Sequence, residues 1–394
     1  MSEKIQLSDL HGKKIAIVLS GGVVKAAAWH LGVMLALDEL GFVFVTNENY
    51  NDPSVNNSKL KIGTYVGSSA GSMINLYIAS GYSAREVINA TLRIKGETLK
   101  GITYKEVFSM KRSPYSKKLK TPKNIFEDLP LPIQMMIKPF YSFNGFFTTM
   151  AVKEYLEKHI LKSNRFEDFH PDIFVVATQL DHSRKVIFSK YHYPNPSHDN
   201  TSVYYTGASM SDAAAASMSV PPFYSPHPIL NSKTGKVDYY IDGEIRETLS
   251  THVAEDHNCD YIISSWTHTP YHFQDEIGSL VNYGLPPIII QTIYLLIQKK
   301  IVSHRANRNL AKDIIKTVNQ YLKENKITGN HRDNIISILE KKLTINRQSK
   351  LIDIYPDHND YKLFFANSFS LNPKVSSYAV KMGYKKTLEV FRNK

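Results

Sequence analysis

Residues 14–40 and 62–81 read KIAIVLSGGVVKAAAWHLGVMLALDEL and IGTYVGSSAGSMINLYIASG, and these two stretches decide the fold class. Each begins with a short apolar, β-branched run, passes through a glycine-rich turn and then places apolar residues at helical spacing. Gly81 follows the second helical run, a position where glycine is typical of a helix C-terminus. Two strand–turn–helix units so close together predict an α/β domain with a mostly parallel sheet.

Outside these units the sequence alternates between further strands, loops and a helical end. Continuous apolar or β-branched runs predict buried strands at 173–178, 185–189 and 261–266. From about residue 275 the pattern becomes helical and basic. We therefore expect an α/β core over residues 1–274, with a basic, loop-rich insertion at about 100–147. The helical, basic region 275–394 is expected to pack on the same domain.

Composition excludes several classes of protein. The 394 residues are 42% hydrophobic and 21% charged, which excludes intrinsic disorder and collagen-like repeats. The single cysteine, Cys259, cannot form an internal disulfide, so we expect a reducing compartment or a fold that needs no disulfide. The N-terminal residues lack the apolar region of a secretory signal. The longest apolar run, 285–297, is short for a bilayer, so we expect no membrane-spanning segment.

The net charge of +12 is concentrated in two segments. Residues 100–123 carry eight bases and one acid, and residues 281–350 carry thirteen bases and four acids. Such segments suit an anionic partner, either phosphate-bearing lipid or nucleic acid. A solvated surface is the simpler alternative and stays open.

The second glycine turn matches the G-x-S-x-G nucleophile elbow. Its residues are Gly67, Ser68, Ser69, Ala70 and Gly71, with a β-rich run before them and a helical run after them, as the motif demands. The sharp turn would lift the Ser69 hydroxyl out of the sheet edge, and the helix N-terminus beyond it favours developing negative charge. A structural serine–glycine turn is the alternative.

The first glycine turn offers backbone N–H groups near a helix start. Gly21, Gly22 and Val23 could direct such donors at the oxyanion of an acyl-transfer reaction. Neither nucleotide-binding pattern fits this turn, because G-x-x-x-x-G-K-[ST] and G-x-G-x-x-G are both absent here. We therefore favour an oxyanion loop over a phosphate cradle.

Four ordered motifs resemble those of the patatin-like phospholipases. They are the stretch from Ser20 to Phe42, the GSSAG elbow, Ser217–Pro226 (SMSVPPFYSP) and Tyr240–Gly243 (YIDG), within a similarity that reaches from about residue 14 to residue 251. A weaker similarity to the same family covers residues 351–391. The resemblance implies a three-layer α/β/α sandwich and a serine–aspartate dyad without a catalytic histidine.

Carried onto this chain, the resemblance assigns the nucleophile to Ser69, the base to Asp242 and the oxyanion loop to Gly21, Gly22 and Val23. It also implies that no metal or cofactor is required. Asp242 follows the β-rich run 237–241, so we expect it at a strand end, where active sites of open α/β sheets form.

Three positions depart from the family pattern. Val23 stands in place of a third glycine, and we expect it to donate its N–H at negative φ. Lys25 stands where arginine is commoner, and the D-G motif, Asp242-Gly243, continues with Glu244. If both carboxyl groups are buried, their repulsion should raise the pKa of one of them.

A serine–histidine–acid triad is the rival mechanism. Its histidine would come from the candidates downstream of Asp242, which are His252, His257, His268 and His272. Surface or structural roles are the simpler interpretation of these histidines, and His30 is expected to pack in the first helix.

The sequence thus predicts a serine acyl hydrolase that cleaves fatty-acyl esters of phospholipids or other glycerolipids. The alternative is a catalytically impaired lipid- or nucleic-acid-binding protein that keeps the fold. We expect a cytoplasmic or peripheral membrane protein that contacts anionic lipid through Lys117, Lys118 and Lys120, and we expect no nucleic acid partner. Five aromatic residues follow the basic segment and suit either lipid contact or core packing: Phe140, Tyr141, Phe143, Phe146 and Phe147.

Overall fold

The architecture comes from a computed structural model, which describes residues 6–94, 96, 98–115, 129–137, 143–193, 202–343 and 349–392. The strands β1–β10 are Ile15–Leu19, Val43–Phe44, Lys61–Ser68, Asp172–Gln179, Arg184–Phe188, Ser202–Tyr205, His227–Leu230, Val237–Asp242, Tyr261–Ser265 and Lys350–Ile354. The helices α1–α13 are Val23–Glu39, Pro53–Asn57, Ala70–Ala79, Ala84–Thr91, Tyr104–Val107, Leu131–Ile137, Met150–His159, Met210–Ser217, Thr251–Asp256, Leu285–Glu324, Asn330–Leu343, Tyr361–Phe365 and Pro373–Arg392.

The strands form one mixed sheet in the order β10-β9-β1-β3-β4-β5-β6. The neighbours from β10 to β4 pair in parallel, as do β5 and β6, whereas β5 and β8 each pair antiparallel with β4. The predicted α/β class with a mostly parallel sheet is confirmed. The two strand–turn–helix units of the sequence are β1–α1 and β3–α3, and they are adjacent in the sheet.

Side chains on the two faces of β1 enter two separate hydrophobic clusters. Ile15, Ile17 and Leu19 pack with residues of α1, α3 and α13. Ala16 and Val18 face the other way and pack with residues of α9 and α10. Because helices cover both faces, the strand is apolar at every position, which explains its continuous rather than alternating pattern.

The C-terminal region contributes a strand as well as helices. β10 pairs in parallel with β9 and forms an edge of the central sheet, an element that the helical pattern of this region did not predict. α13 lies along α1, and the glycines Gly32 and Gly383 allow the two backbones to approach closely.

The apolar run 285–297 is part of a much longer helix. It forms the start of α10, which continues for 40 residues to Glu324. Pro286 and Pro287 occupy the first turn, where proline is tolerated. By length and composition α10 could cross a membrane, and only 22% of its most apolar window is buried within the protein.

Candidate active site

Ser69 lies in the sharp turn between β3 and α3. Its backbone has φ +50° and ψ −123°, a conformation that costs a non-glycine residue about 1–3 kcal/mol. The Ser69 N–H donates to Ser217 Oγ (2.7 Å), and Ser217 Oγ–H donates to the Val176 carbonyl of β4 (2.6 Å). Ser217 therefore ties the strained turn to the neighbouring strand, a role that its place in the SMSVPPFYSP motif did not reveal.

Gly71 allows the elbow to lie against the oxyanion loop. A Cβ atom at this position would stand 2.3 Å from the carbonyl oxygen of Leu19, the last residue of β1. The start of α3 can thus approach the end of β1 only without a side chain at residue 71. The two glycine turns predicted from sequence meet at this edge of the sheet.

The strand β4 brings Asp242 to Ser69. Its residue Val176 pairs with Ser68, where the β3 pairing ends, and the next residue, Ala177, pairs with Asp242 of the antiparallel strand β8. β8 therefore takes the place of β3 along β4, and the Asp242 side chain hydrogen-bonds the Ser69 side chain. Gly243 makes this possible, because a Cβ there would lie 2.3 Å from the Val176 carbonyl oxygen.

The environment of Asp242 makes it a stronger base than an ordinary aspartate. Burial raises its pKa to about 6, although the hydrogen bonds from Ser69 and from the Glu244 N–H (2.8 Å) act in the opposite direction. The carboxylate is therefore ionised at neutral pH and poised near it, as a general base requires.

Glu244 forms a second carboxyl group beside the dyad. Its Oε1 accepts hydrogen bonds from the Gly21 N–H (2.8 Å) and from the Ser68 hydroxyl, while its buried Oε2 has no hydrogen-bond partner among the described residues. Burial and, next, the charge of Asp242 raise the pKa of Glu244 to about 8, so this group is mostly protonated at neutral pH. The Gly21 amide is thus engaged by Glu244.

Gly22 and Val23 form the rest of the predicted oxyanion loop. Gly22 has φ +127°, and a Cβ there would lie 2.8 Å from the Ala26 Cβ. Val23 has φ +59°, so the expectation that it keeps a negative φ is wrong. A β-branched residue is strained in this region, and we attribute its conformation to the tight entry into α1, which begins at Val23.

Lys25 connects the oxyanion-loop helix to the C-terminal region. Its side chain is 2% exposed, and its Nζ donates to the Tyr294 hydroxyl (3.0 Å) and to the Leu363 carbonyl (3.1 Å). Tyr294 lies in α10 and Leu363 in α12, so both partners come from segments that no motif linked to the site.

Three of the four histidines proposed for the rival triad contact other groups, whereas His268 lies beside the predicted oxyanion loop, with its Nε2 3.3 Å from the position that a Cβ on Gly22 would take. His252 pairs with Glu247 (3.1 Å) and His257 with Asp172 (2.7 Å). His268 packs against the Tyr294 ring, and its pKa is lowered to about 3 by burial and then by the charges of Lys25 and His30. His272 stacks on His358. His30 meets Ser265 Oγ and the Ser20 carbonyl, as a packed histidine would.

An apolar cavity opens beside the elbow. Its enclosed volume is about 60 Å³, and apolar side chains make up most of its wall. Val23 and Ala70 line it next to the two glycine turns, and Tyr77 lines it about two helical turns further along α3. The Tyr77 hydroxyl is hydrogen-bonded to that of Tyr155 (2.6 Å), so this polar group in an apolar wall is satisfied.

Most of the residues predicted to contact lipid lie outside the part of the chain that the structure describes. Lys117, Lys118 and Lys120 lie outside the described residues, as do Phe140 and Tyr141. The ring of Phe147 packs against Phe108 at 5.0 Å, and Phe143 and Phe146 contact each other. Within the ranges that the structure describes, no group of three or more His, Cys, Asp or Glu residues could hold a metal ion.

Comparison with known proteins gives one result. The family model of the patatin-like phospholipases matches residues 17–255, which include both glycine turns and Asp242. No curated protein matches the chain.

Proposed function

The chain belongs to the patatin-like phospholipase family, and from this premise we propose that it is a serine acyl hydrolase acting on phospholipids or other glycerolipids through Ser69 and Asp242. The observation that carries the proposal is the contact between the Ser69 hydroxyl and a buried carboxylate whose pKa is raised to about 6. A carboxylate so placed can accept the proton of a serine that attacks an ester.

In the first half of the reaction, Ser69 Oγ bonds to the ester carbonyl carbon while its proton passes to Asp242. The resulting oxyanion accepts hydrogen bonds from the backbone N–H groups of Gly22 and Val23, and the N-terminus of α3 stabilises its charge. Collapse of this intermediate breaks the ester C–O bond, and the alcohol leaves with the proton from Asp242.

In the second half, a water molecule attacks the acyl-enzyme. Asp242 takes a proton from the water, the Ser69–acyl bond breaks, and Ser69 recovers the proton as the fatty acid leaves. The group therefore acts alternately as base and acid, for which a pKa near the working pH is favourable.

The apolar cavity supports a fatty-acyl ester as the substrate. Val23 of the oxyanion loop and Ala70, the residue after Ser69, both line it, so a chain inside it would have its ester carbonyl near Ser69. An apolar wall stabilises a buried acyl chain, but it provides no hydrogen bond and no opposite charge for a charged head group. The head group and the rest of the glycerolipid would then remain outside.

Ester turnover by two variants tests the dyad. We expect Ser69→Ala and Asp242→Asn each to lower kcat about 10³-fold or more with an unchanged fold. The matched control is Asp238→Asn on the same strand, which should keep full activity. No single histidine variant should abolish turnover, and loss of activity in a folded His252→Ala or His268→Ala protein would replace the dyad with a triad.

A lipid-binding protein with little turnover is the second candidate. It is favoured by the engagement of the Gly21 amide by Glu244 and by the strained Val23, which together leave the oxyanion loop with fewer free donors than three glycines would. Purified protein that binds phospholipid vesicles but leaves every acyl ester intact would establish it. Turnover that depends on Ser69 would exclude it.

We also propose peripheral contact with anionic membranes through the basic segment 100–123. Its lysines would each contribute about 1 kcal/mol near an anionic surface. Changing Lys117, Lys118 and Lys120 together to Gln should weaken binding to anionic vesicles, most strongly at low salt. Binding that ignores both salt and lipid charge would leave this segment as a solvated loop.

A further inference from the structure

The first four turns of α10 and the loop before them expose a continuous apolar surface. On the helix, Leu285, Ile289, Ile293 and Leu296 recur at four- and three-residue spacing and are exposed, Leu285 by 67% and Leu296 by 59%. Val281, in the turn before the helix, is 72% exposed. We call this surface the α10 apolar face; its exposed members are Val281, Tyr283, Leu285, Ile288, Ile289, Ile293, Leu295, Leu296 and Val302.

The opposite side of the same turns is fixed to the protein. Tyr294 and Ile297 are buried, and Tyr294 accepts the hydrogen bond from Lys25. The Gln291 side chain exchanges two hydrogen bonds with the backbone of Tyr271, each 2.9 Å long. Lys300 Nζ donates to the Ile245 carbonyl (2.8 Å). These contacts hold the helix on the surface with its apolar face outward.

The same contacts argue against a helix that crosses a bilayer. The stretch from Leu285 to Gln298 is uncharged, and at 1.5 Å per residue it is about 21 Å long. The hydrocarbon core of a bilayer is about 30 Å thick, so the charged Lys299 and Lys300 would enter it in a spanning orientation. A helix with one apolar face outward and the other face bound to a globular body suits the interface of a membrane instead.

The charges around this face specify an anionic surface. Residues 278–298 contain no charged side chain, and residues 299–312 contain five bases and no acid, although Arg305 and Arg308 are paired with Asp353 and Glu255 of the protein itself. Lys299 is exposed at the end of the uncharged stretch, where its long side chain can reach a lipid phosphate while the apolar face enters the acyl region. A second copy of this face would offer apolar groups and bases, but no acid to pair with them.

The helix that carries the α10 apolar face packs next to the segments that carry the catalytic turns. Lys300 contacts Ile245, three residues after Asp242, and Tyr294 contacts Lys25, two residues after Val23. We propose that the α10 apolar face docks on the surface of a phospholipid bilayer that contains anionic lipid. Its link to catalysis rests on the proposed function: docking would bring the mouth of the active site to the lipid that carries the ester.

Vesicle binding by the Ser69→Ala protein tests the docking without hydrolysis of the lipid. The probes are vesicles of phosphatidylcholine alone and vesicles with about 30% phosphatidylglycerol. We expect the double change Ile289→Asp with Leu296→Asp to lower partitioning into the anionic vesicles about tenfold or more. The matched control changes two similarly exposed apolar residues on other elements, Leu230→Asp with Ile338→Asp, and should bind like the parent protein.

A label that leaves the face intact gives a second measurement. An environment-sensitive fluorophore on Ile293→Cys should shift to the blue when anionic vesicles are added, whereas the same fluorophore on Ile338→Cys should not. Cys259 is buried and will not compete for the label. Equal behaviour of the two positions, or unchanged binding by the Ile289→Asp, Leu296→Asp protein, would overturn the proposal.

Two further measurements distinguish docking on a membrane from contact between two copies of the protein, and test the docking separately from the proposed hydrolase activity. Light scattering measures the oligomeric state: a dimer that the Ile289→Asp, Leu296→Asp change dissociates, with vesicle binding retained, would make this face a contact between two copies. Turnover of a short, water-soluble ester by the protein with Ser69 intact reports the proposed function by itself. It should be the same with and without the changes in the face, and its absence would refute the hydrolase without touching the docking result.

Discussion

At the scale of single residues, two adjacent turns hold non-glycine residues at positive φ. Ser69 is one, and its strain belongs to the elbow that exposes the nucleophile. Val23 is the other, at a position where a glycine would adopt φ +59° without strain. No feature of the site requires the strained conformation of Val23. Replacing this residue is therefore the most informative test of the oxyanion loop.

Relief of this strain gives the first prediction. Val23→Gly should leave turnover equal or higher, because the left-handed conformation costs an ordinary residue about 1–2 kcal/mol and glycine almost nothing. Gly22→Val should lower turnover, since its Cβ would lie 2.8 Å from the Ala26 Cβ. Steady-state kinetics on a soluble ester measures both. A fully active Gly22→Val enzyme would mean that the oxyanion donors lie elsewhere.

The two carboxyl groups give the second prediction, a pH profile. Turnover should fall below about pH 6 as Asp242 is protonated and fall again above about pH 8 as Glu244 ionises, because the new charge opposes the negative oxyanion. Glu244→Gln cannot ionise, so this variant should keep the acid limb and lose the alkaline one. An unchanged alkaline limb in kcat/KM of Glu244→Gln would assign that limb to another group.

At the scale of elements, the site depends on the close contact of α1 with α13. A Cβ at Gly32 would stand 2.0 Å from the Val380 carbonyl oxygen, and one at Gly383 would stand 2.2 Å from that of Trp29. The backbones of the two helices therefore touch, and α1 carries both Val23 and Lys25. The position of the oxyanion loop is thus coupled to a helix near the end of the described chain.

Crowding this contact gives the third prediction. Gly383→Ala should destabilise the protein by about 1–3 kcal/mol, because two backbones must separate to admit the methyl group. The control is Gly63→Ala, whose Cβ would be 3.6 Å from Val45 Cγ2, an ordinary contact. Denaturant unfolding measures both free energies. Equal stability of the two variants would show that α13 can shift without cost.

At the scale of the whole molecule, a buried ion pair joins α10 to the α/β core. Arg308 pairs with Glu255 of α9, their side chains are 5% and 7% exposed, and Arg308 also donates to the Ser349 carbonyl (2.7 Å) just before β10. One arginine thus holds the long helix, a core helix and the edge of the sheet together.

Removal of one partner gives the fourth prediction. Arg308→Met should cost about 3–5 kcal/mol of unfolding free energy, because it leaves the Glu255 carboxylate buried without its cation. The double change Arg308→Met with Glu255→Leu should recover much of this loss, since no uncompensated charge remains. Thermal and denaturant unfolding give the comparison, and a double variant no more stable than Arg308→Met would place the loss in the other contacts of Arg308.

Local sequence patterns are enough to predict the features that involve only residues close together along the chain. The strand–turn–helix units, the elbow at Ser69 and the strand that ends at Asp242 follow from local apolar spacing and from glycines at sharp turns. Each involves neighbours along the chain, so the pattern of residues carries it. The same holds for the α/β class, because two such units in succession favour a parallel sheet.

Contacts between segments that are distant along the chain follow from tertiary packing and not from local pattern. The register that pairs Val176 with Ser68 and Ala177 with Asp242 depends on which strands compete for the edge of β4, and no local pattern encodes it. The engagement of the Gly21 amide by Glu244 and the φ of Val23 follow from that packing. The outward apolar face of α10 does so too, because a helix's own sequence does not say which of its apolar residues the rest of the chain will cover.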